Sequence, residues 1–171
     1  MLRYAKTGKP EWLDALVKLN GDDLYHFLLS QTDPAMAADL CQSAWVKVIE
    51  KREYYQPGGK FKSWLFTLGR NLMIDQLRHQ NRWQAIALAE DMLESIELDD
   101  EMAVKDTQSQ FDALLDNLPF LQKEAFVLQQ DGFSLIEIAT ITGENSETIK
   151  SRLRYARTVF KSFINQHKEG M

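Results

Sequence analysis

Apolar residues recur at spacings of three and four along almost the whole chain, and stretches of alternating β-branched residues are few. Such spacing puts apolar side chains on one face of a helix, so the chain is predicted to be all-α. Glycines and prolines interrupt the pattern, and they lie at Gly21, Pro34, Gly58, Gly59, Pro119, Gly132 and Gly143. Between them the periodicity predicts helices over approximately residues 11–19, 22–30, 34–51, 61–81, 108–117, 121–130, 135–140 and 146–166.

Two of these helix starts carry clear capping signals. Asp33 precedes Pro34, which places a carboxylate at the N-cap and proline in the first helical position. Ser134 is followed three residues later by Glu137, the spacing of a capping box.

Charge divides the chain into three parts. Residues 84–107 hold eight acidic residues and one basic residue, Lys105, which gives this segment a net charge of −7. The whole chain has a net charge of −5, so the remainder has a net charge of +2. Residues 60–82 and 146–171 each carry a net of +4. Local potential governs docking on a polyanion, so two basic segments on either side of an acidic one suit two phosphate-facing surfaces joined by a linker. The linker mixes its acids with apolar residues, and is expected to be partly helical or to order against a partner.

Length and hydropathy limit the number of domains and the expected location of the chain. The 171 residues allow one domain or two small helical ones, and no apolar run approaches the roughly 18 to 20 residues that a membrane span needs. The N-terminus lacks an apolar block followed by small residues, so export is not expected and the chain is placed in the cytoplasm. A single cysteine, Cys41, excludes an internal disulfide.

Residues 134–157 have the spacing of a DNA-binding helix-turn-helix. Ala139 is small where two helices would cross, Gly143 can adopt the left-handed turn, and Ile149 would anchor the second helix. On that helix one face holds Ile149, Leu153, Ala156, Phe160, Phe163 and Ile164, and the other holds Glu147, Lys150, Ser151, Arg154, Thr158 and Lys161. The polar face suits a recognition helix in the major groove, and an ordinary amphipathic surface helix is the alternative.

Residues 54–82 combine aromatic rings with a cationic stripe. Beginning at Trp64, side chains at +7, +11, +14 and +18 fall on one line of a helix, and these are Asn71, Asp75, Arg78 and Arg82. Rings, amides and cations together suit a single strand with unstacked bases. For Trp64 and for the loop residues Tyr54 and Tyr55, packing within the protein is an equally good interpretation.

These motifs together resemble the extracytoplasmic-function group of bacterial sigma factors, the promoter-recognition subunits of RNA polymerase. Residues 33–82 are similar to their region two, through Asp39-Leu-x-Gln42 and the helix Trp64-Leu-x-x-x-x-Arg70-Asn71-x-x-x-Asp75-x-x-Arg78. Residues 118–157 are similar to their region four, through Leu-Pro at 118–119, Glu-Ala-Phe at 124–126, Glu-Ile-Ala at 137–139 and Thr-Ile-Lys-Ser-Arg-Leu at 148–153. Thr142 and Glu144 depart from the pattern, since apolar residues usually flank the turn glycine.

The resemblance implies two small helical domains, a region-two bundle over residues 1–83 and a region-four helix-turn-helix over 108–171, joined by a linker over 84–107. It implies core RNA polymerase, promoter DNA and an anti-sigma protein as partners, with no cofactor, metal or catalytic residue. Polymerase contacts are then expected at Asp39, Gln42, Trp45, Val46 and Val48. The opened strand of the downstream (minus-ten) element is expected at Tyr55, Lys60, Phe61, Trp64, Asn71, Asp75, Arg78 and Arg82. The upstream (minus-thirty-five) duplex is expected at Glu147, Thr148, Lys150, Ser151, Arg154 and Thr158.

Three other classes of protein compete with this interpretation. An enzyme is disfavoured because no Lys-Ser/Thr follows Pro57-Gly58-Gly59 at phosphate-loop spacing and the three histidines are far apart in sequence. An autonomous helix-turn-helix regulator, with residues 1–83 as a sensor or dimerisation bundle, is disfavoured because a sensor would not need the cationic, aromatic stripe from Trp64 to Arg82. A helical adaptor is the third alternative.

Overall fold

A computed structural model describes residues 1–93 and 107–169, with side chains described for 1–93 and 111–165. The helices are α1 (Leu2–Thr7), α2 (Pro10–Gln31), α3 (Pro34–Glu50), α4 (Phe61–His79), α5 (Trp83–Leu93), α6 (Thr107–Asn117), α7 (Phe120–Gln130), α8 (Leu135–Thr142) and α9 (Ser146–Glu169). A short 3-10 turn, Arg52–Tyr54, follows α3. No strand occurs in the described ranges, which confirms the all-α prediction.

Helix boundaries agree with the sequence except at three places. The break predicted at Gly21 is wrong, because α2 runs without interruption from Pro10 to Gln31. Its buried face, which includes Leu16, Leu24 and Phe27, continues past the glycine, and packing of that face outweighs the ~1 kcal/mol cost of one helical glycine. Helix α1 was not predicted. Helix α5, for which no bounds were predicted, occupies the first part of the linker, in agreement with the expectation that the linker is partly helical. Residues 94–106 lie outside the described residues.

Both capping predictions are confirmed. The Asp33 carboxylate accepts a hydrogen bond from the Met36 backbone N–H at 2.9 Å. In the capping box, Ser134 Oγ accepts from the Glu137 N–H at 3.2 Å, and the Glu137 carboxylate accepts from the Ser134 N–H at 2.8 Å. These contacts satisfy N–H groups that the first helical turn leaves unpaired.

One hydrophobic cluster passes through both halves of the molecule. Helices α2, α3 and α4 form the N-terminal bundle, and α7, α8 and α9 form the C-terminal one. The bundles pack together through α4 against α8 and α2 against α7. Phe66 of α4 lies 4.9 Å from Phe133, ring centroid to ring centroid, and both are buried. The surfaces expected to bind DNA are therefore held on two bundles that contact each other directly.

Gly69 permits the close approach of α4 to α2. A Cβ at this position would meet Leu24 Cδ1 at 2.9 Å, and Leu24 is fully buried. Overpacking by Gly69→Ala is expected to cost about 1–3 kcal/mol, partly offset by the ~1 kcal/mol that alanine gains over glycine inside a helix, so the free energy of unfolding should fall by up to about 2 kcal/mol. Denaturant titration followed by circular dichroism measures this change.

Gly21→Ala is the matched control for Gly69→Ala. A Cβ at Gly21 would meet only Val17 Cγ1, at an ordinary 3.6 Å, so alanine should stabilise the helix by up to ~1 kcal/mol. If the two substitutions had the same effect, close packing at Gly69 would not be the cause.

Candidate nucleic-acid interface

Helix α9 presents a polar face to solvent and buries the opposite one. Ile149, Leu153 and Ala156 are buried, whereas Phe163 is half-buried and Ile164 is exposed. The predicted reading face is exposed at Glu147, Lys150, Ser151, Arg154 and Thr158, with Thr148 half-buried. The two faces of α9 are therefore separated as the periodicity predicted, at least as far as Phe160.

The turn before α9 has the predicted geometry. Gly143 adopts a left-handed φ of 71°, and the Glu144 N–H donates to the Ala139 carbonyl at 3.0 Å. Asn145 Oδ1 accepts from the Thr148 backbone N–H at 2.8 Å, which caps the first turn of α9. Within that turn Lys150 Nζ lies 2.6 Å from Glu147 Oε1, and this contact lowers the pKa of Glu147.

Arg152 is a buried cation on the same helix, and sequence reasoning missed it. Its guanidinium forms two hydrogen bonds to Glu90 of α5, at 2.6 and 3.0 Å, and one to Glu144 at 3.1 Å. Burial alone would lower the pKa of Arg152, but the carboxylates of Glu90 and Glu144 raise it overall. Its position three residues after Ile149, on the buried side of the helical wheel, was the signal that could have found it.

Four aromatic rings cluster where α4 begins. Tyr55 lies 5.1 Å from Trp64 and 6.3 Å from Phe61 between ring centroids, and Phe61 lies 6.0 Å from Trp64 and 6.2 Å from Trp45. The Tyr55 hydroxyl donates to the Gly59 carbonyl at 3.2 Å and so closes the loop, while partial burial raises its pKa. These rings partly pack on one another, and Tyr55, Phe61 and Trp64 each keep some surface in solvent.

The predicted stripe along α4 is only partly present. Asn71, Asp75 and Arg78 are exposed, and Arg78 lies 3.7 Å from Asp75 and 5.7 Å from the Trp83 ring. Arg82 is exposed but is not on the helix, because α4 ends at His79 and Asn81 turns the chain with a φ of 57°. The alignment of Arg82 with Trp64 at +18 is therefore wrong, although its charge remains close to the end of α4.

Two lysines at the start of α4 contact the C-terminal bundle. Lys60 Nζ lies 3.1 Å from the Glu137 carboxylate. Lys62 Nζ lies 2.7 Å from the Asp23 carboxylate of α2 and donates to the Asp131 carbonyl at 3.2 Å. A hydrogen bond from the Ser134 N–H, with help from Lys60, lowers the pKa of Glu137 to about 2. Burial, reinforced by Asp23 and opposed by Lys62, raises the pKa of Asp131 to about 6.

Helix α3 presents most of the residues expected to contact polymerase. Asp39, Gln42 and Val46 are exposed, and Trp45 is half-buried against Phe61. Val48 is fully buried, so it cannot contact a partner while the bundle is folded, and its assignment to the polymerase surface is wrong. It shares the inner face of α3 with Ala37, Leu40 and Ala44, whereas the neighbouring Ile49 is exposed.

Each half of the chain matches a known protein family. Residues 16–83 match the family model of sigma-70 region 2, and residues 108–158 match that of sigma-70 region 4. Over 140 residues the chain is 31% identical to the ECF RNA polymerase sigma factor EcfG of Rhodopseudomonas palustris, covering 75% of this chain and 71% of that protein. The chain belongs to the extracytoplasmic-function sigma factors.

Other relatives agree with this membership. The sigma factor is 30% identical to the ECF RNA polymerase sigma factor SigE of Mycolicibacterium smegmatis, covering 95% of its own length and 65% of the relative's. Its structure is similar to that of the sigma factor RpoE of Bartonella quintana, which was crystallised with the anti-sigma factor NepR (TM-score 0.67, 27% identity, 89% of this chain and 96% of that one). CnrH, solved with the cytosolic domain of CnrY, shares the fold (TM-score 0.67, 20% identity, 96% and 95%).

None of the helices in the described parts of the sigma factor is both long and apolar enough to cross a membrane.

Proposed function

We propose that this sigma factor directs core RNA polymerase to promoters by dividing recognition between two surfaces. The α9 face of Lys150, Ser151 and Arg154, with Glu147, Thr148 and Thr158 around it, reads the upstream element as duplex. Helix α4 and the rings of Tyr55, Phe61 and Trp64 hold one strand of the downstream element after it opens. The observation that carries the proposal is that each of the two matched regions exposes its own polar, cationic surface while burying its apolar face.

The chemistry of each surface suits its assigned form of DNA. Arginine and lysine on one exposed helix face can reach guanine edges and phosphates in the major groove. Aromatic rings at the start of α4 can stack on unpaired bases, and each stack contributes about 1–3 kcal/mol. Asn71 and Arg78, further along the same helix, can hydrogen-bond to bases and phosphates. Strand opening then follows from differential binding, because the energy of holding unstacked bases offsets the cost of unpairing them. Covalent chemistry is left to the polymerase.

The proposal also covers the protein's partners, its domain boundaries and its location in the cell. Core polymerase docks on α3 through Asp39, Gln42, Trp45 and Val46. The domains span residues 1–83 and 108–171, with 84–107 between them. An anti-sigma protein is expected as a regulator, and the likeness to RpoE, whose structure was solved with NepR, supports this expectation. The protein acts in the cytoplasm, where it meets polymerase and DNA.

Abortive transcription by purified core enzyme on promoter fragments tests this division of labour. Arg154→Ala should cost about 1–3 kcal/mol of upstream-element discrimination, and leave binding of the unpaired strand in a pre-melted downstream element unchanged. Asn71→Ala should slow opening on the order of tenfold, the effect of one lost hydrogen bond to a base, and leave upstream recognition intact.

Two substitutions on the same helices serve as controls. Gln76→Ala removes an exposed amide of α4 away from the stripe, and Arg157→Ala removes a cation of α9 that is already bonded to Gln129 of α7. Core enzyme with either control variant should initiate transcription at nearly the rate obtained with the parent protein. The proposal fails if the protein does not stimulate core enzyme and instead footprints duplex DNA alone, which is the behaviour of an autonomous regulator.

A further inference from the structure

Helix α1 has no role in the proposed function. The matched part of region 2 begins at residue 16, so α1 and the first turns of α2 lie outside it. Helix α1 nevertheless packs on α2 and on the 3-10 turn Arg52–Tyr54, directly before Tyr55. It therefore lies beside rings that the proposed function assigns to the opened strand.

Several contacts fix α1 in this position. Tyr4 is buried, and the Arg52 guanidinium lies over its ring at 5.9 Å from the centroid. Gly8 ends the helix in a left-handed conformation with a φ of 62°, and its N–H donates to the Tyr4 carbonyl at 2.8 Å. Helix α1 is thus held on the turn that leads to Tyr55.

A groove lies between α1, α2 and the rings of Tyr55 and Phe61. Its volume is about 480 Å³, within the ~300–1,000 Å³ of typical ligand pockets. Its apolar lining includes Leu2, Trp12, Leu16 and Leu19. Leu2 and Leu19 keep 47% and 76% of their surface exposed. The groove therefore offers apolar and aromatic surface that a planar ring can cover.

A cation lies over one of the rings of the groove. The Arg3 guanidinium is 4.8 Å from the centroid of the Trp12 ring, and both residues line the groove. Arg3 is exposed and Trp12 is half-buried. An arginine beside an aromatic ring can bind a phosphate while the ring packs against a base. This pair favours a nucleic acid strand over an apolar peptide, which would leave the donors of the guanidinium unused.

The charge of the α1 segment points to the same kind of partner. Residues 1–9 contain three basic side chains and no acidic one, and the basic residues are Arg3, Lys6 and Lys9. Glu11 and Asp14 follow on α2, where Asp14 lies 2.7 Å from Lys18. The segment therefore contributes a positive potential beside the groove, which attracts a polyanion.

The groove continues the surface proposed for the opened strand. Tyr55 and Phe61 line the groove, and the same two rings lie 5.1 and 6.0 Å from the ring of Trp64. A strand held at Trp64 and along α4 has only to pass these rings to bring a neighbouring base to Trp12.

We propose that this groove is a second base-binding site, in which one unpaired base of the opened strand packs against Trp12 and the Arg3 guanidinium contacts a phosphate beside that base. The inference rests on the proposed function, because α4 and its rings must already hold the strand. Stacking accepts every base, so the site should add affinity for one more unpaired nucleotide with little preference for its identity.

Abasic scanning of the unpaired strand tests the site, with the sigma factor assembled with core polymerase on a pre-melted downstream element. At one nucleotide, removal of the base should weaken binding by the parent about fivefold, the low end for one lost stack. Trp12→Ala should weaken binding to the intact strand by a similar factor. The two changes together should cost no more than either alone, whereas abasic sites elsewhere should add to Trp12→Ala.

Two further variants separate a base contact from a structural role of Trp12. Trp12→Phe keeps a ring and should restore most of the dependence on that base. Arg3→Gln should weaken binding, and a neutral methylphosphonate beside the same nucleotide should remove the difference from the parent. Lys6→Gln makes the same change of charge on α1 at an exposed residue, and its effect should not depend on that phosphate. If Trp12→Ala loses its helical circular dichroism, the comparison of Arg3→Gln with Lys6→Gln decides.

The outcomes distinguish this site from the proposed function. If the assembled polymerase does not bind the pre-melted element, the proposed function and the groove site fail together. If it binds, but every abasic site adds to Trp12→Ala, the groove does not hold a base and the proposed function stands. Equal effects of Arg3→Gln and Lys6→Gln at every phosphate would mean that α1 supplies only general attraction, and would also overturn the site.

Discussion

Replacing Phe66 by alanine is expected to lower the free energy of unfolding by about 3–5 kcal/mol, the range for deleting a fully buried phenylalanine side chain. Phe66 has no exposed surface and its ring lies 5.3 Å from Phe27 and 4.9 Å from Phe133. The cavity would therefore form where the core of region two continues into region four. Urea or guanidinium unfolding followed by circular dichroism gives the change.

Tyr54→Ala is the control for Phe66→Ala, because Tyr54 is 80% exposed and its loss should alter stability by no more than about 0.5 kcal/mol. A double-mutant cycle with Phe133→Ala makes the measurement specific to the interface. Residues in contact show a coupling energy of about 0.5–3 kcal/mol, whereas the stability changes of substitutions in separated domains are additive. Strict additivity of Phe66→Ala and Phe133→Ala would mean that the regions are apart in solution.

Much of the fold follows from local patterns in the sequence. The α9 wheel separated its buried and exposed faces because a helix buried on one side repeats its apolar residues with the helical period. Asp33, Ser134 and Gly143 marked helix ends because capping and left-handed turns depend on a few adjacent residues. Each of these signals lies within a few residues of the structure that it determines.

Contacts between distant segments left no comparable signal. Arg70 was part of the motif that resembled region two, yet nothing in its neighbourhood indicates a carboxylate 54 positions away. Val48 was assigned to a partner surface although its spacing from Ala44 also suited the inner face of α3, where it lies. A single sequence shows which residues share a face, but the elements that cover the face depend on tertiary packing.

The acidic linker illustrates the same limit. Its acidic charge marked it only as a linker expected to be partly helical or to order against a partner. Trp83, Ile86 and Glu90 recur at helical spacing, and α5 turns this face toward the other elements. Glu90 then neutralises Arg152, so one of the acids counted as part of a solvated run is an internal counterion. Net charge over a segment could not distinguish these roles.

Arg152 and Arg154 are two residues apart on α9, and their substitution by alanine should have opposite consequences. Arg152 is buried and bonded to Glu90 and Glu144, whereas Arg154 is exposed on the reading face. Arg152→Ala should lower the free energy of unfolding by about 3 kcal/mol, the low end for breaking a buried ion pair, because both carboxylates keep partial contact with water. Arg154→Ala should change stability by less than about 0.5 kcal/mol.

The effects on DNA recognition should be in the opposite order, larger for Arg154→Ala than for Arg152→Ala. At a temperature where both variants are fully folded, Arg154→Ala should lose discrimination for the upstream element, whereas Arg152→Ala should retain the parent's base preferences because its side chain does not reach the exposed face. Denaturant unfolding of the two free variants measures the effect on stability. Competition between upstream-element duplexes for each variant assembled with core polymerase measures the effect on DNA recognition. Altered base preference in folded Arg152→Ala would show that Glu90 and Arg152 set the orientation of the recognition helix as well as its stability.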